Sequence, residues 1–319
     1  MKKTIVLAVL LILTITSGVL PAASWAGEKI TFGVLPVMQA LPLFVAQEKG
    51  LFAEEGVEVE LIPFRSGLEK DAAMAAKQTQ GYFGDMLTST ILGANQMPVQ
   101  MVATIFNTSG DQRMFAVLAA PGTGKPSLTD LARDGIAGSS NTVIEYVTTK
   151  LLENETPGAN LNMIETKNIL ARMPMLLQGQ VPGAVLPEPL VTLVEGKGAT
   201  VVADDRGLGI TPTTLLFTRD FIDRNTEAVK AFLRATTRAS ALINKDPAMA
   251  RPVMIKHARI PEPLQQSIAI PVFTPPAVPE RELVMDVYGW LKVKGVLKKE
   301  LTYEDMVRGD LLPEKKKND

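Results

Sequence analysis

Two carboxylates stand where a rigid loop would present them. Asp85 follows Gly81-Tyr82-Phe83-Gly84, and Glu188 is held between Pro187 and Pro189. A carboxylate just after a short strand can cap the next helix or accept hydrogen bonds from a bound molecule, and Asp85 is open to both roles. Glu188 sits at the tip of a proline-stiffened loop, the placement expected of a contact residue. Small polar residues recur at other helix starts, Ser66-Gly67 and Ser139-Ser140-Asn141. Ser66 and Ser140 can serve as caps as well as contacts, and Gly67 and Gly84 as plain turn residues. Arg65 and Arg113 could pair with an anion, although solvated surface is the plainer expectation for an arginine. These groups hydrogen-bond and carry charge, but they make no nucleophile–base set. Ser139 and Ser140 have no histidine nearby, and the single His257 falls in a late helical region. With one histidine and no cysteine, a zinc site is not expected.

All these residues fall at the joints of a repeating pattern. Lys29–Val34 reads as a strand; Pro42 suits the first turn of a helix that runs to Lys49, and Gly50 can take the left-handed stop conformation. Val57, Val59 and Leu61 then alternate with Glu58 and Glu60 in a strand ending at Pro63. Strand, helix and strand with short joints make a right-handed βαβ unit. The construction recurs. Ser66 and Glu69 have capping-box spacing ahead of a helix over Leu68–Gln78, Gly81–Gly84 is a strand, Asp85 opens a helix to Asn95, and Val99–Thr104 is another strand.

A second αβ set begins near Arg113. It holds an extended Met114–Ala119, a helical turn at Leu128–Leu131, a strand at Gly135–Gly138 and a helix over Thr142–Glu153. A short helix at Met173–Gln178, strands at Gly183–Leu186 and Thr200–Ala203, and a turn into a helix after Pro187 complete it. Met163, Met173 and Met175 read as core filling. Thr213–Thr218 is extended, Thr226–Ile243 is a long helix, and prolines from Pro261 to Pro279 punctuate a carboxy-terminal helical block. Having no sheet of its own, that block must cover the first one. The pattern predicts two lobes, residues 27–112 with 213–319 and residues 113–212, with crossings near Arg113 and Thr213.

Bulk properties narrow the class. Lys2 and Lys3 precede an apolar run over Ile5–Leu13 and a Ser24-Trp25-Ala26 exit, the layout of a signal peptide cleaved after Ala26. A spanning helix needs about 20 unbroken apolar residues, and Thr14, Thr16, Ser17, Gly18 and Pro21 interrupt this one. With no cysteine there is no disulfide and no lipid-bearing thiol, so the expectation is a free periplasmic protein. The 33 basic and 34 acidic residues become 31 and 34 once the two leader lysines go, a net of about −3 and too even to call for nucleic acid or an anionic membrane.

Longer motifs carry a family likeness. Phe32-Gly33-Val34-Leu35-Pro36, then Leu43-Phe44-Val45-Ala46-Gln47-Glu48-Lys49-Gly50-Leu51-Phe52, then Gly56-Val57-Glu58-Val59-Glu60, resemble the opening of the solute-binding proteins for aliphatic sulfonates, taurine and nitrate. That superfamily also holds receptors for thiamine-precursor pyrimidines. The likeness continues through Gly81–Asp85, Leu177–Val181 and Leu186–Pro189, and closes with Glu280–Gly295 and Tyr303-Glu304-Asp305. It implies an α/β fold of the periplasmic binding protein-like type II class, with two αβα lobes joined by two hinge strands. It further implies a monomer without cofactor that traps a small polar solute and delivers it to an ABC permease and, through that permease, its ATPase. Pro182-Gly183 and Pro187 depart from the usual acidic and aromatic residues of the group, so no one member's ligand carries over.

In open α/β sheets the ligand lies beyond the carboxyl ends of the strands. The expected contacts are therefore Met38, Gln39, Ser66, Gly67, Asp85, Met86, Asn107, Ser139, Ser140, Asn141, Glu188 and Thr213. Helix starts favour an anion, whereas Asp85 and Glu188 favour a cation or ring N–H donors. A zwitterion or polar heterocycle, taurine-like or pyrimidine-like, satisfies both sets. Two alternatives stay open on this fold: an enzyme of the thiamine-pyrimidine or menaquinone type, and a receptor presenting its solute to a sensor.

Overall fold

The computed structural model describes residues 29–210 and 212–312; the expected leader and its cleavage after Ala26 lie outside the described residues. Among the described residues ten strands run in chain order as β1 (Ile30–Val34), β2 (Val59–Pro63), β3 (Gly81–Asp85), β4 (Val99–Thr104), β5 (Phe115–Ala119), β6 (Ile136–Gly138), β7 (Met163–Glu165), β8 (Gly183–Pro187), β9 (Thr200–Asp204) and β10 (Thr213–Thr218). They form two five-stranded sheets, β2-β1-β3-β10-β4 and β7-β6-β8-β5-β9. Strands with helices on both faces become continuous apolar runs. Leu215, Leu216 and Phe217 of β10 and Val117, Leu118 and Ala119 of β5 are accordingly all fully buried.

The helices are α1 (Leu41–Glu48), α2 (Leu51–Glu54), α3 (Gly67–Ala75), α4 (Met86–Asn95), α5 (Leu128–Asp134), α6 (Val143–Glu155), α7 (Ile169–Leu177), α8 (Leu190–Glu195), α9 (Arg219–Arg224), α10 (Thr226–Lys245), α11 (Pro247–His257), α12 (Arg281–Val293) and α13 (Tyr303–Met306). Gly50, at φ 70°, makes the left-handed joint between α1 and α2. Phe32 of β1 packs between Phe217 and Phe232, at ring separations of 5.1 and 4.7 Å, and Phe52 stacks on Phe232.

The two lobes share one topology. In each, a parallel three-strand core is completed by an antiparallel strand supplied from beyond the crossing: β10 between β3 and β4, β5 between β8 and β9. Both inserted strands slip register halfway, between Leu215 and Leu216 and between Val117 and Leu118. The crossings run from Thr104 to Phe115 and from Asp204 to Thr213. They are stitched together, since Thr108 Oγ1 donates to the carbonyl of Ile210 at 3.1 Å. The carboxylate of buried Asp205 accepts the N–H groups of Met114 and Phe115 at 2.9 and 3.1 Å.

The carboxy-terminal block covers the first lobe as expected, α10 lying against α1 and α2 and α12 against α4. It also reaches the second lobe. Tyr146 Oη donates to Asp286, Lys150 pairs with Asp286, Lys294 pairs with Glu145, and the Trp290 ring stands edge-on to Tyr146 at 5.6 Å.

Three sequence expectations change. Strand β7 was not expected. Helix α7 starts at Ile169, capped by Asn168, well before Met173. The Ser66–Glu69 box closes by half: Ser66 Oγ accepts from Glu69 N, but the Glu69 carboxylate takes the N–H of Arg65.

Candidate functional site

The expected contact residues follow the carboxyl ends of strands in both lobes, except Thr213, which stands at the amino end of antiparallel β10 opposite Asp85. Gly84 lets β3 pass close to its neighbours, because a Cβ there would lie 2.6 Å from the Tyr82 ring and 3.3 Å from Lys70 Nζ. Asp85 then caps α4, accepting from Thr88 N at 2.8 Å and Thr88 Oγ1 at 3.0 Å. Thr213 pairs in register with Asp85, and Met86 N donates to the carbonyl of Pro212 at 2.9 Å, so Asp85, Met86 and Thr213 are brought together beside the second crossing. The Thr213 hydroxyl is buried without a hydrogen-bond partner. Met38 and Gln39 are buried in a short turn of 3-10 helix ahead of α1. Ser66 and Gly67 open α3, with Gly67 exposed, and Asn107 lies on the first crossing, its carbonyl accepting from Gln112 Nε2.

In the second lobe Ser139, Ser140 and Asn141 form the loop between β6 and α6. Ser140 N donates to Glu165 at 3.0 Å, and Asn141 N donates to Glu145 at 2.6 Å. Asn141 takes a left-handed φ of 59°, a conformation that asparagine tolerates better than most residues. Its Oδ1 is buried and unpartnered. An orphaned polar atom in a native fold calls for an explanation such as an absent water or bound group.

Glu188 is engaged within its own lobe. Its carboxylate meets Arg113 Nε at 2.6 Å and accepts from Thr192 N and Oγ1 at 3.2 and 2.9 Å. Arg113 also pairs with Glu195. The expectation of a solvated Arg113 is thereby corrected: its side chain is only 17% exposed, and two carboxylates hold its charge, raising its pKa against the opposing effect of burial. Arg65 is exposed as expected. His257 is half-buried, stacked on Phe44 at 4.8 Å and 2.7 Å from Glu48, with no candidate contact residue in either interaction.

A hollow of about 550 Å³ lies elsewhere, on the outer edge of the first lobe, and includes none of the expected contacts. Most charged groups on its rim are matched, Lys29 with Glu58 and Glu60, and Lys256 and His257 with Glu48, while Arg259 has no ion-pair partner among the described residues. It has the character of an open surface groove. Among the described residues no three His, Asp or Glu side chains converge in a way that would hold a metal ion.

A family model described as NMT1/THI5 like matches residues 37–250. The chain belongs to that family. Its fold is that of solved periplasmic binding proteins. It is similar to the periplasmic aliphatic sulphonate binding protein SsuA from Escherichia coli, with a TM-score of 0.75 at 13% identity over 88% of this chain and 98% of that one. It is also similar to the alkanesulfonate-binding protein SsuA from Xanthomonas axonopodis pv. citri bound to MOPS, with a TM-score of 0.74 at 14% identity over 90% and 99% of the two chains. The periplasmic nitrate-binding protein NrtA from Synechocystis PCC 6803 gives a TM-score of 0.60 at 14% identity over 74% and 68%. No curated protein sequence matches the chain.

Two cations that sequence inspection passed over lie beneath these loops. Lys70 is 2% exposed; its Nζ donates to the carbonyl of Phe83 at 2.9 Å and lies 3.9 Å from the centre of the Tyr82 ring. Burial lowers its pKa, while Asp71 and Asp85 act in the opposite sense. Arg172 is fully buried; Nε donates to Thr166 O at 2.8 Å, Nη1 to Val185 O at 3.2 Å and Nη2 to Ser139 Oγ. Burial pushes its pKa down to about 10, opposed by the charge of Glu165. A lysine or arginine one turn into a helix ordinarily reads as solvated, so neither residue announced itself. The available signal was repetition: each stands four residues after a helix cap, Ser66 or Asn168, and thirteen residues before the carbonyl it binds.

Proposed function

We propose that this protein is the solute-binding component of an ABC importer, which closes its two lobes on a small polar organic solute outside the inner membrane and passes it unaltered to a permease. What supports this is the pair of sheets linked by two crossings, with an orphaned buried polar atom among the expected contacts of each, Thr213 Oγ1 at the start of β10 and Asn141 Oδ1 after β6. Supporting it, the similar solved structures are described as periplasmic binding proteins for sulfonates and nitrate. Among the described residues no helix is long and apolar enough to cross a membrane. The expected contacts on both sides include hydrogen-bonding groups, and a solute held this way shifts the lobes only by its preference for the closed arrangement.

Native mass spectrometry of protein purified from its own host, followed by scattering with and without the recovered molecule, tests this reading. A bound small molecule that contracts the particle and is recovered chemically intact is the expected result. A chemically changed molecule, or a particle whose dimensions ignore every candidate solute, would overturn it.

A further inference from the structure

One helix of each lobe meets the other across the cleft. Asp286, Trp290 and Lys294 follow one another at four-residue intervals along α12 and its end, so one stripe carries an acid, a ring and a base. Helix α6 answers each of them. Tyr146 and Lys150 take Asp286, the Tyr146 ring meets Trp290 edge-on at 5.6 Å, and Glu145 takes Lys294. Lys294 Nζ also lies 4.6 Å from the centre of the Trp290 ring. Helix α12 rests in addition on α4, the helix that Asp85 caps. The Glu145 side chain is 14% exposed and that of Lys294 27%, so this is not the fully solvated kind of pair that contributes almost nothing.

Glu145 divides its two oxygens between the lobes. As the third residue of α6 it stands where an acid reaches back to free N–H groups ahead of a helix, and its Oε2 accepts from Asn141 N at 2.6 Å. Its Oε1 accepts from Lys294 of the first lobe. The hydroxyl half of the usual cap is missing, because Thr142 Oγ1 turns back to the carbonyl of Ser139 at 2.7 Å. Asn141, left-handed at φ 59° and with its Oδ1 buried and unpartnered, is therefore held at its N–H by Glu145. Other bonds to this loop, from Ser140 N to Glu165 and from Arg172 to Ser139, stay inside the second lobe. The one through Glu145 continues into the first.

We propose that Glu145 is a positioning residue that couples the Asn141 loop of the second lobe to the α6–α12 contact with the first, so that order in the loop and closure of the lobes rise and fall together. Lys294 holds the carboxylate toward Asn141, and a well-placed Asn141 holds it toward Lys294. Without either partner the side chain is free to turn to water. A coupling of this kind acts equally in both directions. The assignment rests on the receptor reading above, and adds the residue through which an occupied loop is felt by the opposite lobe.

Amide exchange of ¹⁵N-labelled protein and small-angle scattering, both without added solute, test it. Lys294→Met, a change in the first lobe, speeds exchange at Asn141 in the second by about tenfold and enlarges the radius of gyration. Lys294→Arg restores both. Lys292→Met breaks a pair of the same helix with Glu300, away from the second lobe, and changes neither. Glu145→Gln keeps an acceptor for Asn141 N but loses the charge that draws Lys294, so it enlarges the particle as Lys294→Met does. A pair that only braces the fold would shift the unfolding midpoint and leave Asn141 as it was. Exchange at Asn141 that ignores Lys294→Met, or that Lys292→Met raises equally, overturns the coupling. So does a particle size indifferent to both Lys294→Met and Glu145→Gln. Host-purified protein that carries no solute would remove the receptor reading instead, whereas exchange and scattering report on the coupling alone.

Discussion

Asp205 gives the sharpest test of how the hinge is held. Its side chain is fully buried where the second crossing begins, and it accepts the N–H groups of Met114 and Phe115, where the first crossing ends. Burial raises its pKa from the ordinary 3.8 to about 6, against the opposing pull of those two hydrogen bonds. A folded value above the unfolded one means that the native state holds a proton between about pH 4 and 6 which the unfolded chain has released. Stability from this group is therefore greatest below pH 4 and is lost as the pH rises through 6. The displacement from 3.8 to about 6 corresponds to about 3 kcal/mol. Asp205→Asn keeps the shape and cannot ionise, but its amide nitrogen cannot accept the second of the two N–H groups. Urea unfolding should find the variant weaker than wild type near pH 4, by about 1–3 kcal/mol for the lost acceptor, and the gap narrowing by up to about 3 kcal/mol as the pH rises to 7.5. A gap that does not narrow between pH 4 and pH 7.5 would refute the reasoning. It would mean that the two N–H bonds to the ionised carboxylate offset the cost of burying it.

Other outcomes follow from single contacts. Arg113→Met strands Glu188 and Glu195 and should cost about 1–3 kcal/mol in denaturant unfolding, with an unchanged midpoint counting against the ion-pair account. Tyr146→Phe keeps a ring that is 1% exposed but removes its bond to Asp286, about 1–2 kcal/mol of bridging between the lobes. Trp290, the one tryptophan among the described residues, stands against that ring, so its emission should shift in the variant and on solute binding; emission indifferent to both would separate Trp290 from closure. Gly84→Ala forces a Cβ to within 2.6 Å of the Tyr82 ring and should lower stability by about 1–3 kcal/mol, measured by thermal unfolding. Phe232→Ala empties the junction of Phe32, Phe52 and Phe217 and should cost about 3–5 kcal/mol by the same measurement.

The parts of the fold that were legible in the sequence were those with local causes. Gly50 stops α1 because a left-handed joint suits glycine, Asp85 caps α4 through its own next turn, and the apolar Thr213–Thr218 run forms β10 over those same residues. Strand β7 escaped because Met163-Ile164-Glu165 is too short to show alternation and takes its place only by pairing with β6. Pro174 lies inside α7 and obscured its helical pattern, hiding a start at Ile169, four residues before the expected Met173. The candidate site was legible as a set of loops but not as a balance of charge. Glu188 and Arg113 are 75 residues apart, and nothing local marks them as partners. Lys70 and Arg172 depend likewise on what the rest of the chain folds over them.

The position of β10 has a consequence for how the chain assembles. Strands β3 and β4 are not neighbours; the place between them belongs to a segment made more than a hundred residues later. The second sheet, drawn wholly from residues 115–204, has all its members in hand while β4 still lacks a partner along either edge. A nascent or truncated chain ending before Thr213 can therefore complete its later half first, with the earlier half remaining an open seam until its last thread arrives.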